Sequence, residues 1–482
     1  MTAMRLSDLL RRDMAVDPEI TGVTADSRQV RPGYLFAALP GSKADGASFI
    51  PAALKAGAAA VLADNDVETA PTPVVHAADL RRAYALAAAA FWGEQPQVCV
   101  AVTGTNGKTS VAAFCRQIFA RLGRASASMG TLGVRAGDAQ LTPPGLTTPD
   151  AADVARLMAE LAGQGVTHLA LEASSHGIDQ RRLDGVRLTA AGFLNLTQDH
   201  LDYHGSMEAY LAAKLRLFEA LLPRAGTAVL NADSDAFGAV AATATLSGHT
   251  ILSVGLEGQG LQLAEHTATP AGQRLAIVAE HRRYEIELPL AGEFQASNAL
   301  VAAGLCIAAG EPVEAVLAAL EHIEGAPGRL QRVGAGPRGG EAYVDYAHTP
   351  DGLETVLSAL RPHTRGRLIV VFGAGGDRDR GKRPMMGEIA HRLADVAIVT
   401  DDNPRSEDPA AIRAAILAAA PGAVEIGDRR EAIAAAAAML SDGDVLVVAG
   451  KGHEQGQTIA GVIHPFDDVA ETAAALGLAG RP

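Results

Sequence analysis

The run Val98-Cys99-Val100-Ala101-Val102 leads without a break into Thr103-Gly104-Thr105-Asn106-Gly107-Lys108-Thr109-Ser110. An uninterrupted apolar run with valine at alternate positions predicts a strand buried on both faces. Such a strand needs a parallel sheet with helices on either side, which sets the fold class as α/β. The glycine-rich turn and a helix expected from about Ser110 to Leu122 complete a phosphate-binding unit. Backbone N–H groups of the turn can approach phosphate oxygens, and the helix N-terminus favours negative charge. In that unit Lys108 reaches the β- and γ-phosphates and the Thr109 hydroxyl is a ligand for Mg²⁺. Val102 stands where the general P-loop pattern has its first glycine. A plain strand-to-helix turn carrying a solvated lysine is therefore the competing reading.

Strand and helix patterns alternate along the rest of the 482 residues. A helix is expected near Asp153–Ala162, and strands at Thr167–Leu171, Ala191–Leu196, Leu368–Phe372, Val396–Thr400 and Val445–Ala449. Gly/Pro junctions at Gly93–Gln97 and Glu324–Gly328 divide the chain into 1–95, 96–328 and 329–482. The architecture expected is a small N-terminal α/β domain, a central mononucleotide-binding parallel sheet and a C-terminal Rossmann-like sheet. A net charge of −14 argues against a general nucleic-acid or anionic-membrane binder. The three cysteines, Cys99, Cys115 and Cys306, form no CxxC pair, which suits a reducing compartment. Met1–Asp13 lack the apolar stretch of a signal peptide, and the alanine-rich runs Ala85–Trp92 and Ala432–Leu440 are too short to span a bilayer. The expectation is a soluble cytoplasmic protein without membrane insertion.

Open α/β sheets bind ligands outside the carboxyl ends of their strands. Two polar clusters fall there: Glu172-Ala173-Ser174-Ser175-His176 and Gln198-Asp199-His200-Leu201-Asp202. Glu172 and His200 are expected to converge on the phosphate loop and hold metal; taken singly, each is as readily a helix cap or a surface group.

Thr103–Thr109 resembles the ATP loop of the Mur ligases and of their folylpolyglutamate synthase relatives. Glu172-Ala173-Ser174-Ser175-His176-Gly177, Asp199-His200-Leu201-Asp202-Tyr203-His204-Gly205 and Asp345-Tyr346-Ala347-His348-Thr349-Pro350 narrow the likeness. They resemble the Mur ligases that extend UDP-N-acetylmuramoyl-L-alanyl-D-glutamate, and matching motifs run from Asp26-Ser27-Arg28 to Gly450-Lys451-Gly452-His453-Glu454. The resemblance implies an ATP- and Mg²⁺-dependent amide-forming ligase of peptidoglycan precursor synthesis; a monomer is the expectation, although the sequence itself does not determine oligomeric state. It places Gly104, Thr105, Asn106, Gly107, Lys108, Thr109 and Ser110 on the ATP phosphates, and Asn298, Arg329 and Asp345 near adenine, phosphates and ribose. Ser27, Ser42, Lys43 and Ala44 fall at the UDP portion; Thr147, Thr148, Ser174, Gln180 and Arg182 at the muramyl dipeptide. Thr109, Glu172, His200 and Lys214 fall at the metal, Lys214 as N6-carboxylysine, and Lys108, Glu172, His200 and Lys214 form the catalytic set. Without the resemblance, a lysine on the helical stretch Met207–Leu217 reads as an ordinary solvated side chain.

Asp402-Asn403-Pro404-Arg405 resembles the signature of the members that add meso-diaminopimelate. That amino acid has a second zwitterionic centre, so its pocket needs cations for a carboxylate and anions for an ammonium. Arg378 and Arg405 can supply the first, Asp402 and Glu454 the second, and the Gly450 carbonyl a further acceptor; an Asn-Pro turn with surface charges is the plainer alternative. Two other functions remain in competition. Gly373-Ala374-Gly375-Gly376 after a strand suggests a dinucleotide-binding oxidoreductase, although Arg378 stands where the fingerprint requires glycine. A catalytically silent UDP-sugar-binding protein is the other.

Overall fold

The computed structural model describes residues 3–41, 45–64, 72–137, 139–269 and 272–478. It forms two compact units, Met1–Ser253 with Gly304–Glu311, and Val254–Ala303 with Pro312–Pro482.

The first unit opens with a small parallel sheet of Gly22–Thr24, Tyr34–Ala37, Ala60–Ala63 and Val74–His76, paired in chain order. Helix Leu80–Trp92 covers it, placing Tyr84, Ala85 and Ala88 against Leu35, Leu62 and Val75. The larger sheet is centred on Val98–Thr103, flanked by His168–Glu172 on one side and Ala190–Phe193 on the other. Ser126–Gly130 lies beyond the first flank and Thr227–Asn231 beyond the second, all parallel. The chain leaves the central strand toward one side and later crosses to the other, so a crevice opens at the central strand's carboxyl end. The expected phosphate loop sits there. Pairing of Glu172 with Val102 and of Phe193 with Thr103 carries the next residues of both neighbours to the level of that loop.

The second unit holds a six-stranded sheet in the order Gln331–Ala335, Glu341–Asp345, Val445–Ala449, Leu368–Phe372, Val396–Val399, Val424–Glu425. All its pairings are parallel except the first. Alternation with period two sorts its core: Leu368, Val370 and Phe372 meet Leu353, Leu357 and Met386 on one face. Ile369 and Val371 meet Ile433 and Ala436 on the other. Leu368–Phe372 and Val445–Ala449 have the bounds expected from sequence. The helix after the glycine-rich turn begins two residues early, at Lys108.

An antiparallel meander of Leu261–Thr269, Gly272–Ala279 and Arg282–Leu288 also belongs to this unit, where sequence patterns pointed only to parallel sheets. Its second turn is made by Glu280 and His281, both left-handed with φ of 48° and 60°. A two-residue hairpin turn ordinarily announces itself as Asn-Gly or Asp-Gly; here neither residue is one of those. Among the described residues no helix is long and apolar enough to cross a membrane.

Candidate active site

Gly107 caps the helix Lys108–Arg121 with φ of 90°, a left-handed conformation that glycine adopts without strain. The first amides of that helix have no intrahelical acceptor and open toward the loop. Asn195, just past the neighbouring strand, fastens the loop: its Oδ1 accepts from the amides of Thr105 (3.1 Å) and Asn106 (2.9 Å), and its Nδ2 donates to the Asn106 carbonyl (3.2 Å). Sequence reasoning did not single out Asn195; its only signal was a place at a strand end. Lys108 Nζ folds back over the loop, donating to the carbonyls of Gly104 and Thr105, each at 2.8 Å.

Glu172 is 3% exposed, and its carboxylate lies against the start of the loop helix. It accepts from Thr109 Oγ1 (3.0 Å), the Thr131 amide (2.8 Å) and Thr131 Oγ1 (3.2 Å). Gly130 is what lets it in, since a side chain there would collide with the carboxylate. From this point one network reaches the residues expected at the peptide substrate. Thr131 Oγ1 bonds Thr147 Oγ1 (2.9 Å), and Thr148 Oγ1 donates to the Glu172 carbonyl (2.9 Å) and lies 2.9 Å from Ser174 Oγ. Arg182 donates through Nη1 to the Thr148 carbonyl (2.6 Å) and through Nη2 to Gln180 Oε1 (2.7 Å).

Lys214 is 1% exposed on helix Met207–Arg216. Its Nζ donates to the Gly104 carbonyl at 2.8 Å and lies 4.2 Å from the centre of the Tyr210 ring. Burial, and then the charge of Lys108, push the amine down to about 6. His200 stands apart from this buried group. It is half exposed, left-handed at φ of 53°, 3.4 Å from Asp199 Oδ2 and edge-on to His176 with ring centres 4.9 Å apart. Thr109 and Glu172 are thus joined by a direct bond, whereas His200 is bonded to neither. Among the described residues no three His, Cys, Asp or Glu side chains are grouped to hold a metal by themselves. A buried hydroxyl and carboxylate beside the expected phosphate loop do suit Mg²⁺, which takes one or two protein oxygens and completes its shell with phosphate and water.

Ser27 lines a cavity of about 940 Å³ together with Asp26, Arg28, Tyr34, Tyr84 and Trp92. The Arg28 guanidinium holds the Asp26 carboxyl down at about 2. Ser42, Lys43 and Ala44 lie outside the described residues.

In the second unit Asn298 Nδ2 donates to Gln295 Oε1 (3.0 Å), and Gln295 Nε2 to the Arg329 carbonyl (3.3 Å). The Arg329 guanidinium lies 4.8 Å over the Tyr346 ring. Asp345 accepts from the amides of Leu330 (2.6 Å) and Ala347 (2.8 Å), yet burial still raises its carboxyl to about 6. Asp402 is 5% exposed and its carboxylate accepts no hydrogen bond among the described residues. A side chain at Gly450 would come 2.6 Å from its Oδ2. Asn403 Nδ2 donates to Glu454 Oε2 (2.8 Å), and Arg405, left-handed at φ of 54°, donates through Nη1 to the Gly376 carbonyl (2.7 Å). Pro404 is buried and Arg378 exposed.

The turn Gly373–Gly376 is filled by protein. The Gly376 amide donates to the Asn403 carbonyl (2.9 Å), and a Cβ on Gly376 would strike the Pro404 carbonyl. These glycines let two backbones meet where a dinucleotide pyrophosphate would otherwise lie, so the oxidoreductase reading loses its site.

Family profiles match most of the chain. "Mur ligase family, catalytic domain" matches residues 19–98, "Mur ligase middle domain" 102–306, and "Mur ligase, glutamate ligase domain" 328–452. The chain belongs to the Mur ligase family. Among Mur ligases it is 71% identical to the UDP-N-acetylmuramoyl-L-alanyl-D-glutamate--2,6-diaminopimelate ligase of Caulobacter vibrioides, covering 98% of each chain. A solved structure of an enzyme of that same name superposes with a TM-score of 0.77 at 34% identity, covering 100% of both chains. The MurF ligase of Thermotoga maritima in complex with ADP shares the fold, with a TM-score of 0.61 at 18% identity over 94% of this chain and 96% of that one.

Proposed function

We propose that this Mur ligase joins meso-diaminopimelate to the D-glutamate γ-carboxylate of UDP-N-acetylmuramoyl-L-alanyl-D-glutamate, with ATP split to ADP and phosphate. The name carried by the 71%-identical relative supports the substrates. The observation that carries the amino-acid assignment is the Asp402–Arg405 loop, whose buried Asp402 carboxylate accepts no hydrogen bond among the described residues while Arg405 stands three residues on. An ammonium flanked by a carboxylate complements that pair.

The γ-carboxylate attacks the γ-phosphorus of ATP, releasing ADP and leaving an acyl phosphate. The neutral amine of diaminopimelate then attacks the acyl carbon, the tetrahedral adduct expels phosphate, and the amine gives up its proton. Neither step needs a protein nucleophile; positioning and charge stabilisation suffice. Gly104–Ser110 cradle the phosphates, and Lys108 swings from its loop carbonyls to the β- and γ-phosphates. Asn298, Arg329 and Asp345 serve the rest of the nucleotide. Thr147, Thr148, Ser174, Gln180 and Arg182 hold the muramyl dipeptide, and Ser27 with residues 42–44 the uridine end. Thr109, Glu172, His200 and carboxylated Lys214 would hold Mg²⁺, which would supply charge neutralisation at the phosphates. Domains 1–95, 96–328 and 329–482 take the uridine nucleotide, ATP and the amino acid respectively. In this reading the enzyme acts as a monomer, and the nucleotide-linked substrate supports action in the cytoplasm.

Phosphate release from ATP and the UDP-linked dipeptide, compared with meso-diaminopimelate, L-lysine or no amino acid, tests the assignment. Release that depends on diaminopimelate is expected; release indifferent to the amino acid would overturn it. In the same assay Lys108→Ala is expected to lower turnover about 10²-fold, the scale of losing one charge-stabilising donor. Its thermal midpoint should stay near that of the parent, because the lysine's bonds to the Gly104 and Thr105 carbonyls lie within the loop and outside the core. Full turnover by this variant would remove Lys108 from the phosphates.

A further inference from the structure

Lys451 follows Gly450 in the turn after strand Val445–Ala449, and none of its surface is exposed. A buried lysine has three donors to satisfy, and here three acceptors surround it. Nζ donates to Asn403 Oδ1 (3.2 Å), Glu454 Oε2 (3.2 Å) and the Gly456 carbonyl (2.6 Å). Each acceptor lies on a different stretch: the loop that carries Asp402 and Arg405, the lysine's own turn, and the start of the hairpin Gly456–Pro465.

We infer that Lys451 is a positioning residue for the incoming diamino acid, holding Glu454 and the Asp402–Arg405 loop in the one arrangement that presents their carboxylates to its ammonium. The inference rests on the reaction proposed above. Both Lys451 and Asn403 bond the same oxygen of Glu454, Oε2. Oε1 accepts no hydrogen bond among the described residues and is left for a ligand. Asn403 is held in turn from its other side, since its Oδ1 also accepts from the Thr458 amide (2.9 Å). The hairpin then grips the loop through the backbone, the Arg405 amide donating to the Thr458 carbonyl (3.0 Å) and Ala460 to that of Arg405 (2.7 Å). Removing the amine leaves Oε2 of Glu454 with one donor fewer and the partly buried Gly456 carbonyl without the Lys451 donor, so both would turn elsewhere. An ion pair serving stability alone would weaken the whole unit and have no reason to affect one substrate more than another.

Full-length Lys451→Met and Lys451→Gln variants separate these cases by steady-state kinetics and amide hydrogen exchange. In Lys451→Met the KM for meso-diaminopimelate is expected to rise at least about tenfold, with the KM for ATP and for the UDP-linked dipeptide within about twofold. Lys451→Gln, which keeps two neutral donors on a shorter chain, should lie between. Exchange at the Gly376, Arg405 and Thr458 amides should quicken at least about tenfold while strand Val445–Ala449 keeps its protection. Equal rises in all three KM values, an unchanged diaminopimelate KM, unchanged exchange at the three amides, or failure of both variants to fold would overturn the inference. If the parent enzyme itself shows no diaminopimelate-dependent turnover, the proposed reaction falls, and the exchange data still report whether Lys451 holds the loop.

Discussion

Lys214→Ala is expected to lower ligation on the order of 10³-fold, and added formate or acetate to restore part of the loss. The reason lies in the burial of the amine against Gly104 and Tyr210, with Lys108 nearby. Those surroundings bring its pKa to about 6, so the amine is neutral at physiological pH. A neutral amine adds carbon dioxide, forming a carbamate and releasing one proton. The product is an anion beside the phosphate loop, and a small carboxylate can stand in for it once the side chain is gone. Bicarbonate should therefore raise the activity of carbon-dioxide-depleted enzyme at pH 8 and fail to do so below about pH 6, where the amine is protonated. The same shift has a sign in stability. Between about 6 and the usual lysine value of 10.5 the unfolded chain takes up a proton that the folded amine does not. In carbon-dioxide-free buffer stability should rise with pH across that window. Lys214→Met should accordingly melt higher than the parent at pH 7, and the difference should shrink toward pH 10. Full activity of Lys214→Ala, or no response to carboxylates, would take the carbamate out of the mechanism.

The choice of amino acid should be nearly as severe. L-Lysine lacks the distal carboxylate, so it leaves Arg405 desolvated against bound substrate without an anionic partner. Sites built around such a contact reject the analogue lacking it by on the order of 10⁴-fold in kcat/KM, part of which is the unpaired cation itself. Arg405→Ala should damage use of diaminopimelate far more than binding of ATP or of the UDP-linked dipeptide. It need not create a lysine enzyme, because Asp402 and Glu454 still shape the pocket for an ammonium flanked by a carboxylate. Steady-state kinetics with both amino acids on parent and variant decide it; comparable kcat/KM for the two in the parent would sink the specificity claim.

What could be read from sequence was what local pattern alone dictates. Leu368–Phe372 and Val445–Ala449 are β-branched runs buried on both faces, and they appear with the bounds expected. The place of the glycine-rich loop and of Glu172 beside it was legible too, since strand ends are where an open sheet places its chemistry. The meander Leu261–Leu288 was not, because Glu280 and His281 turn it without the glycine or asparagine that such turns usually display. Asn195 was not, because one asparagine after a strand becomes a loop fastener only through contacts about ninety residues distant in sequence. Lys451 lies within the motif Gly450-Lys451-Gly452-His453-Glu454, yet its place follows only from three acceptors drawn from separate segments. Thr147, Thr148, Ser174, Gln180 and Arg182, carried over by resemblance, prove to share one hydrogen-bond network with Glu172.

The backbone contact between Gly376 and Pro404 bears on attempts to redesign this enzyme. The tetrapeptide Asp402–Arg405 is shaped by a turn that donates to Asn403, by a hairpin that pairs with Arg405, and by a lysine beneath. Transplanting those four residues into a ligase of different preference would move their identities without their coordinates. The smallest portable piece is a set of three segments, 373–376, 401–407 and 450–465, and a chimera should inherit the donor's preference only when all three travel together.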